Sequence, residues 1–277
     1  MLGSILAVLN KMKNTLINDI APAVYDGWDA INYSSLKKFM VSPKHYKNWI
    51  ETKDNEEPND ALRFGTAVHM MCLQPQHFSD RFIISPICDR RTKEGKQVWS
   101  EFQEQSASYG NNWLKEDEAI SCKQISNAVL SNPFFNTLND KHFEVYREAG
   151  FLTEFGGIEV KGRIDLYNKT NNVIVDIKTI SDTPTVQNVY KAVRDYGYDS
   201  QAYYYSKAIE SIYGKLPEFY FCFVEKKAPN SIAWFKLGEN MMANVNKKID
   251  ESLIRMKNAK IEDVWVGLPN ENSVWIL

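Results

Sequence analysis

The sequence is poor in cysteine and has no long apolar run, and each scarcity removes a class of protein. Four cysteines occur in 277 residues, and no two of them form a CxxC pair. This spacing argues against a zinc ribbon and provides no disulfide framework, so we expect a reducing, cytoplasmic environment. No apolar stretch approaches the roughly 20 residues that a membrane-spanning helix requires, so we expect no membrane partner. The opening stretch MLGSILAVLNKMK lacks a positively charged start and a clear small-residue cleavage site, and it predicts the start of a helix rather than a signal peptide.

Excess positive charge is also absent. Lysine and arginine number 33 against 35 aspartate and glutamate residues, which gives a net charge of −2. Any affinity for nucleic acid must therefore come from a local basic groove. With 44% apolar and 25% charged residues, the composition is that of an ordinary globular protein. We predict one domain over residues 1–277, with a helical N-terminal part (1–60), a core (61–237) and a C-terminal helix and tail (238–277).

Helical and strand patterns alternate along the chain. Helices are predicted in INYSSLKKFMVSPKHYKNWIE, with a cap near Ser34 and a break at Ser42–Pro43, and in ALRFGTAVHMMCLQP, ending before Pro75. The stretch EVYREAGFLTEFGGIEVKGRIDLYNKTNNVIVDIKTIS alternates like strands, with turns at Gly156–Gly157 and Asn168–Asn172. A helix, a strand and a long helix then follow in SQAYYYSKAIESIYG, LPEFYFCFVEKK and GENMMANVNKKIDESLIRMKNA. This order predicts an α/β fold with a mixed central β-sheet flanked by α-helices.

The stretch GRIDLYNKTNNVIVDIKTI places three charged residues in two predicted strands, at Asp165, Asp176 and Lys178. Because alternate side chains of a strand share a face, Asp176 and Lys178 point the same way, and the turn brings Asp165 opposite the neighbourhood of Asp176. Neighbouring carboxylates repel one another, and a hard cation such as Mg²⁺ relieves the repulsion while also binding water and phosphate oxygens. The backbone carbonyl of Ile177 is a further candidate ligand. Lys178 is then placed to serve an attacking water or a phosphate oxygen, which suits metal-assisted phosphodiester hydrolysis.

Each of these features has an ordinary structural alternative. An Asp followed some residues later by Asp-x-Lys also occurs as a surface salt bridge. His69 follows Gly65 by four residues on one helical face, where the glycine would let another backbone approach and the imidazole could bind a metal or a phosphate. The alternative there is a core or surface histidine. Gln201 and Tyr205 share a helical face and could orient a phosphate or a lysine, or the aromatic side chains could simply pack.

Taken together and in this order, the segments resemble the PD-(D/E)XK nuclease superfamily, and more narrowly its RecE-type (exonuclease VIII-like) phage and prophage exonucleases. The resemblance rests on YSSLKKFMVSPKHY, on FGTAVHMMCLQPQHFSDRFIISP followed by RRTKEGK, on GRIDLYN…NVIVDIKTI and on YGYDSQAYYYS. It spans about residues 30 to 235. The GTAxH and QxxxY blocks on either side of a D…DxK hairpin make the combined signal specific. The superfamily's iron–sulfur branch has clustered cysteines near the C-terminus, whereas the last cysteine here, Cys222, stands alone.

The resemblance implies a restriction-endonuclease-like core and a role for each matching residue. The implied catalytic residues are Lys178, Asp165, Asp176, His69, Gln201 and Tyr205. The implied metal ligands are Asp165, Asp176, His69, the carbonyl of Ile177, and Glu148, which matches an acidic position that some relatives use near the metal. Mg²⁺ is the implied cofactor, which Mn²⁺ could replace.

We expect DNA contacts from focused charge rather than from the whole surface. The candidates for the duplex channel and the 5′-phosphate pocket are Ser34 at a helix start, the nearby lysines Lys37, Lys38, Lys44 and Lys47, and the basic residues of CDRRTKEGK, namely Arg90, Arg91, Lys93 and Lys96. For the basic residues, ordinary solvated surface charge is an equal alternative.

The function implied by the resemblance is a Mg²⁺-dependent 5′→3′ exonuclease that degrades linear double-stranded DNA and leaves 3′ single-stranded tails for recombination by annealing. It also implies a homo-oligomeric ring and a RecT-like annealing protein as partner. Two alternatives stay open: a structure-specific endonuclease or single-strand nuclease of the same superfamily, and a catalytically inert DNA-binding module. The complete set of His69, Asp165, Asp176 and Lys178 speaks against the inert module, because decayed sites usually lose a member.

Overall fold

A computed structural model describes residues 13–52 and 59–269. The helix expected to start within residues 1–12 and the end of the expected tail, residues 270–277, lie outside these ranges. The α-helices of the described ranges are α1 (Pro22–Asp26), α2 (Tyr33–Val41), α3 (Pro43–Thr52), α4 (Asp60–Leu73), α5 (Phe78–Arg81), α6 (Lys93–Gln105), α7 (Glu116–Ser131), α8 (Pro133–Leu138), α9 (Val186–Tyr196), α10 (Tyr198–Tyr213) and α11 (Glu239–Glu262). The β-strands are β1 (Thr15–Ile17), β2 (Ile83–Ile84), β3 (Trp113–Leu114), β4 (Val145–Phe155), β5 (Ile158–Asn168), β6 (Val173–Ile180), β7 (Glu218–Glu225) and β8 (Ile232–Lys236).

Six strands form one mixed sheet in the order β1-β4-β5-β6-β7-β8, while β2 and β3 pair separately. Neighbours in the large sheet are antiparallel except β6 and β7, which are parallel and are connected through α9 and α10. A parallel pair needs such a long connection because the chain must return before it can run again in the same direction. The predicted mixed sheet flanked by helices is confirmed.

Tight turns set the two central hairpins. Gly156 and Gly157 join β4 to β5 with φ angles of 62° and 73°, the left-handed conformation that two-residue hairpin turns favour. Asn172 has a φ of 54° just before β6, and asparagine tolerates this region better than most residues. Both turns lie where the sequence predicts them.

Helices cover both faces of the sheet. One core layer packs α2, α9, α10 and α11 against side chains that include Ile174 and Phe221. The other layer packs α4, α7 and α8 against side chains that include Val175 and Cys222. Successive residues of β6 and β7 thus enter opposite layers, as strand geometry requires.

Most of the longer elements begin and end close to the predicted boundaries, but helix α9 was not predicted. Helix α4 ends at Leu73, before Pro75, and Ser42 separates α2 from α3. Strands β1 and β8 were not predicted; both lie at sheet edges, where order depends on the neighbouring strand more than on sequence periodicity. Strand β1 belongs to the expected helical N-terminal part yet pairs with β4. The division of the single domain into three parts, at residues 60 and 237, stays a prediction. Within the described ranges, no helix is both long and apolar enough to cross a membrane.

Two glycines have opposite surroundings. A Cβ added to Gly162 of β5 would lie 2.3 Å from Phe151 Cζ and 3.0 Å from Tyr205 Cε1, so the strand can pass these rings only without a side chain. A Cβ added to Gly65 of α4 would meet no atom within 4 Å. The expectation that Gly65 lets another backbone of this chain approach is therefore wrong; the space beside it is open.

These surroundings predict opposite effects of the same substitution. Gly162→Ala should lower the free energy of unfolding by about 1–3 kcal/mol, because the new methyl group overpacks the core. Gly65→Ala should raise it by roughly 0.5–1 kcal/mol, because alanine stabilises an open position in the interior of a helix. Urea denaturation followed by circular dichroism measures both values. Equal stabilities of the two variants would contradict the close packing at Gly162.

Candidate active site

The site forms where β5 and β6 separate. The register between these strands ends with Leu166 opposite Val175, so the next positions along them are Asp165 and Asp176. Asp165 Oδ2 accepts a hydrogen bond of 2.7 Å from the backbone N–H of Ile177. The side chain of Asp165 therefore takes a place that a backbone carbonyl would fill in a continuous ladder, and it holds the gap between the strands open.

Strands β4 and β5 change face at the same level. Ile164 and Leu166 would share a layer under strict alternation, but they lie in opposite core layers. In β4, Glu148 has a φ of 44° in the middle of the strand. A left-handed glutamate costs on the order of 1–2 kcal/mol, and its backbone conformation turns the buried carboxylate beside Asp165.

His69, Glu148 and Asp165 converge around one point. A ligand atom from each residue lies within 4.8 Å of those from the other two. His69 reaches Asp165 from α4, with 3.2 Å between Nδ1 and Oδ1. Glu148 is also paired with Arg163, with 2.9 Å between Oε2 and Nε. Three separate elements thus bring two carboxylates and an imidazole together.

Asp176 lies on the other side of the gap. Its Oδ1 is 2.6 Å from Lys178 Nζ, but within the described residues this buried atom has no hydrogen bond of good geometry. A buried carboxylate oxygen without such a bond has spare capacity for a ligand. Carboxylate oxygens with one imidazole form a donor set that fits a divalent cation, and Asp165, Asp176, Glu148 and His69 are the residues that would hold it. Ile177, the source of the predicted carbonyl ligand, also lines the site.

Lys178 is fixed by contacts with three residues. Its ammonium pairs with Asp176, donates 3.0 Å to Gln201 Oε1 and lies 4.6 Å from the centroid of the Tyr198 ring. Gln201 Nε2 in turn donates 3.2 Å to the hydroxyl of Tyr205, one helical turn further along α10. The structure therefore brings Gln201 into direct contact with Lys178 and places Tyr205 behind it.

Burial and pairing shift the pKa values of the site in different directions. Burial, with the nearby charge of Asp165, raises the pKa of Asp176 to about 6 despite Lys178. Burial lowers the pKa of Lys178, but the charges of Asp176 and Asp165 outweigh it and the net shift is upward. His69 follows the same pattern: burial opposes its charge, while Asp165 and Glu148 raise its pKa to about 9. For Asp165, the charge and hydrogen bond of His69 overcome burial and lower the pKa.

The site lies at the base of a cleft of about 1070 Å³. Of the predicted DNA contacts, Ser34 lines this cleft, while Arg90, Arg91, Lys93 and Lys96 are not among its lining residues in the described part of the chain. Arg90 stacks on Trp99 at 4.5 Å, and Arg91 pairs with Asp89. The cations that line the cleft besides Lys178 are Lys37, Arg81, Arg163, Lys191 and Lys226.

Sequence reasoning left Arg163 and Tyr198 without a role. Arg163 precedes Asp165 by two residues on one strand, so strand alternation could have placed it in the site. Tyr198 precedes Gln201 by three residues on α10, and the helical period could have placed it beside Lys178.

The His69 pKa predicts how stability changes with pH in metal-free protein. A group whose pKa is raised by folding stabilises the fold fully below its unfolded value of about 6.5, and loses that contribution as the pH rises through about 9. His69→Gln should therefore cost most stability at pH 6 and almost none above pH 10. Urea titrations in EDTA across this range measure the difference, and a constant difference would contradict the pairing with Asp165.

The chain resembles known proteins in sequence and in fold. Residues 32–270 match the family model described as "PDDEXK-like domain of unknown function (DUF3799)". A crystal structure of a candidate exonuclease from Eubacterium rectale is similar at a TM-score of 0.63 and 14% identity, over 94% of this chain and 95% of that one. A phage-related exonuclease from Haemophilus somnus 129PT aligns at 12% identity over 84% of this chain and 96% of that one, but its TM-score of 0.38 is too low to support an argument. The search of curated proteins gave no match.

The structural similarity at 14% identity supports the fold alone. The family model covers most of the sequence, including every residue of the site. The resemblance to the PD-(D/E)XK superfamily is thereby confirmed, and the chain belongs to the PDDEXK-like family DUF3799.

Proposed function

We propose that the protein is a Mg²⁺-dependent exonuclease of the RecE type that degrades linear double-stranded DNA from its 5′ ends and leaves 3′ single-stranded tails. The observation that carries the proposal is the joining of Asp165, Asp176 and Lys178 with His69 and Glu148 at the base of one cleft. The family and the name of the Eubacterium rectale structure support a nuclease. Digestion from ends, the 5′→3′ polarity and the tails are supported by the sequence resemblance.

The bound divalent cation, Mg²⁺ or in its place Mn²⁺, would supply Lewis-acid charge and lower the pKa of a water molecule. Asp165, Asp176, Glu148, His69 and the carbonyl of Ile177 would hold it. His69 has to lose its proton to act as a ligand, so binding of the cation is expected to release that proton.

Lys178 orients the attacking water or stabilises charge on a phosphate oxygen through its ammonium group. Gln201 restricts where this ammonium can lie, because its Oε1 accepts from Nζ while its own amide is held by Tyr205. The ring of Tyr205 packs in turn against Phe151 of β4, with 5.8 Å between ring centroids. The hydrogen bonds from Lys178 to Gln201 and from Gln201 to Tyr205 thus serve to position the ammonium group of Lys178.

The cleft offers separate cations to the DNA backbone, although Asp26, Asp182 and Asp195 also line it. Lys37, Arg81, Lys191 and Lys226 line it, and each is available to meet a phosphate of the DNA backbone. Ser34 lies in the first turn of α2, where its hydroxyl suits a terminal phosphate, while the Asn32 side chain already accepts from the backbone N–H of Ser35. Arg90, Arg91, Lys93 and Lys96 stay proposed contacts for duplex DNA outside the cleft.

The proposed oligomeric state, partner protein and cellular location follow from the sequence resemblance. They are a homo-oligomeric ring that encloses the duplex, a RecT-like protein that receives the tail, and the bacterial cytoplasm as the place of action. None of these rests on a contact within the chain described above.

Digestion of end-labelled DNA tests the proposed activity. Wild-type protein with Mg²⁺ should release label early from the 5′ ends of linear duplex DNA, leave a closed circle intact and stop when EDTA is added. Lys178→Ala should lower the rate by several orders of magnitude while leaving DNA binding largely unchanged. Lys215→Ala, an exposed lysine after α10, is the matched control and should keep the full rate.

Other outcomes of this assay favour different functions. Cutting of the circle would indicate an endonuclease, and preference for unpaired DNA a single-strand nuclease. Early release of the 3′ label would indicate digestion in the 3′→5′ direction instead. Binding without cleavage under any metal would indicate an inert DNA-binding module.

Salt dependence distinguishes the two sets of cations. Each phosphate contact that is lost should reduce the slope of log affinity against log salt by about 0.9 for duplex DNA. Lys191→Ala with Lys226→Ala should therefore lower the slope by roughly two, because both cations line the cleft. The combined substitution of Arg90, Arg91, Lys93 and Lys96 by alanine should lower the slope further only if this segment, which leads into α6, touches the duplex. Fluorescence anisotropy in Ca²⁺ or EDTA measures both slopes, and an unchanged slope for the cleft pair would contradict the proposed path of the DNA.

A further inference from the structure

Two tyrosines extend outward from the catalytic lysine. Lys178 Nζ lies 4.6 Å from the centroid of the Tyr198 ring. Tyr198 and Tyr196 are stacked, with 5.4 Å between ring centroids and 30° between planes. Both line the cleft. Tyr196 is thus one aromatic layer further from the reacting centre than the ring that covers Lys178.

The two rings differ in how they are supported. Tyr198 is half-buried and contacts Phe221 and Phe223 of β7, each at 6.2 Å between centroids. Tyr196 is 58% exposed. Stacking on Tyr198 covers only part of Tyr196, so a large aromatic surface stays open to the cleft.

The junction that carries these rings is fixed from outside. Gly197, with a φ of 67°, separates the two helices. Tyr196 is the last residue of α9, and Tyr198 is the first residue of α10. The hydroxyl of Tyr33 donates 2.6 Å to the carbonyl of Gly197, and Lys37 Nζ donates 2.7 Å to the carbonyl of Tyr196. Helix α2 therefore fixes the backbone from which the Tyr196 ring extends, and the ring itself is stacked on Tyr198.

An exposed ring that is stacked on a second ring, on a fixed backbone and beside cations, matches the way proteins bind unpaired nucleotides. Bases stack on aromatic side chains, and every base offers such a surface. Lys191 on α9 and Lys37 on α2 line the same cleft and can meet the adjoining phosphates. Among exposed tyrosines of α9, Tyr190 is 60% exposed but is not among the cleft-lining residues.

We propose that Tyr196 is a nucleobase-binding residue: the base of a nucleotide next to the scissile phosphate stacks on its open face. The site accepts any of the four bases, since stacking does not read hydrogen-bond patterns. It takes a base at a strand end or out of its pair, because a base inside an intact duplex has both faces covered. This inference rests on the proposed nuclease function and adds to it a subsite for the cut strand.

Kinetics on normal and abasic DNA tests the subsite. The substrates are linear duplexes with an intact end or with a single abasic nucleotide at one of the first three positions of the degraded strand. Tyr196→Ala should raise KM roughly tenfold on normal DNA and change kcat little, because stacking contributes to binding. Tyr196→Phe keeps the ring and should stay within about twofold of wild type, whereas Tyr196→Leu, which is apolar without a π-face, should behave like the alanine variant. Tyr190→Ala should match wild type.

The abasic substrates separate base stacking from a structural role. For wild type, an abasic nucleotide at one of the three positions should raise KM roughly tenfold. For Tyr196→Ala, the same abasic nucleotide should leave KM unchanged, because the substitution has already removed the stacking contact. Equal abasic penalties in wild type and Tyr196→Ala, or a Tyr196→Ala variant no different from Tyr190→Ala, would overturn the subsite while the nuclease function stands. A wild-type protein that cleaves no DNA with Mg²⁺ or Mn²⁺ would overturn the nuclease function and the subsite with it.

Discussion

The structure depends on burying carboxylates where a β-sheet opens. Asp176 is 2% exposed, Glu148 6% and Asp165 9%. An ionised carboxylate inside a protein costs several kcal/mol unless it is paired. Each of the three has its own cation: His69 pairs with Asp165, Lys178 with Asp176 and Arg163 with Glu148. The cluster is therefore close to neutral as folded, and removing one partner would leave a charge unbalanced.

This balance also explains why the surrounding backbone departs from regular geometry. Asp165 bonds the N–H of Ile177 instead of letting the strands pair, and Glu148 takes a left-handed φ of 44°. Both departures cost stability locally. The same two carboxylates, Asp165 and Glu148, belong with His69 to the cluster that could hold a divalent cation. Strained backbone at such a cluster is typical of a functional site.

Sequence patterns predicted the helices and strands that carry the site, but not the contacts that bring its side chains together. Alternation in β6 correctly placed Asp176 and Lys178 on one face, and the turn before β6 brings Asp165 level with Asp176, because both depend only on strand period and turn length. Alternation failed in β5, where Ile164 and Leu166 lie in opposite layers. That change of face depends on the tertiary contact between Asp165 and Ile177. The roles assigned to His69, Gln201 and Tyr205 came from the family resemblance; helical spacing alone gave their faces and not their partners.

The set of cations that line the cleft was the hardest feature to predict, and the reason is topological. A local run such as RRTKEGK stands out in a sequence, yet its cations do not line the cleft in the described residues. The cations that do, Lys37, Arg81, Arg163, Lys191 and Lys226, come from separate segments far apart along the chain. Each one alone looks like ordinary surface charge. The fold, and not any short window of the sequence, therefore sets which charges meet in the cleft.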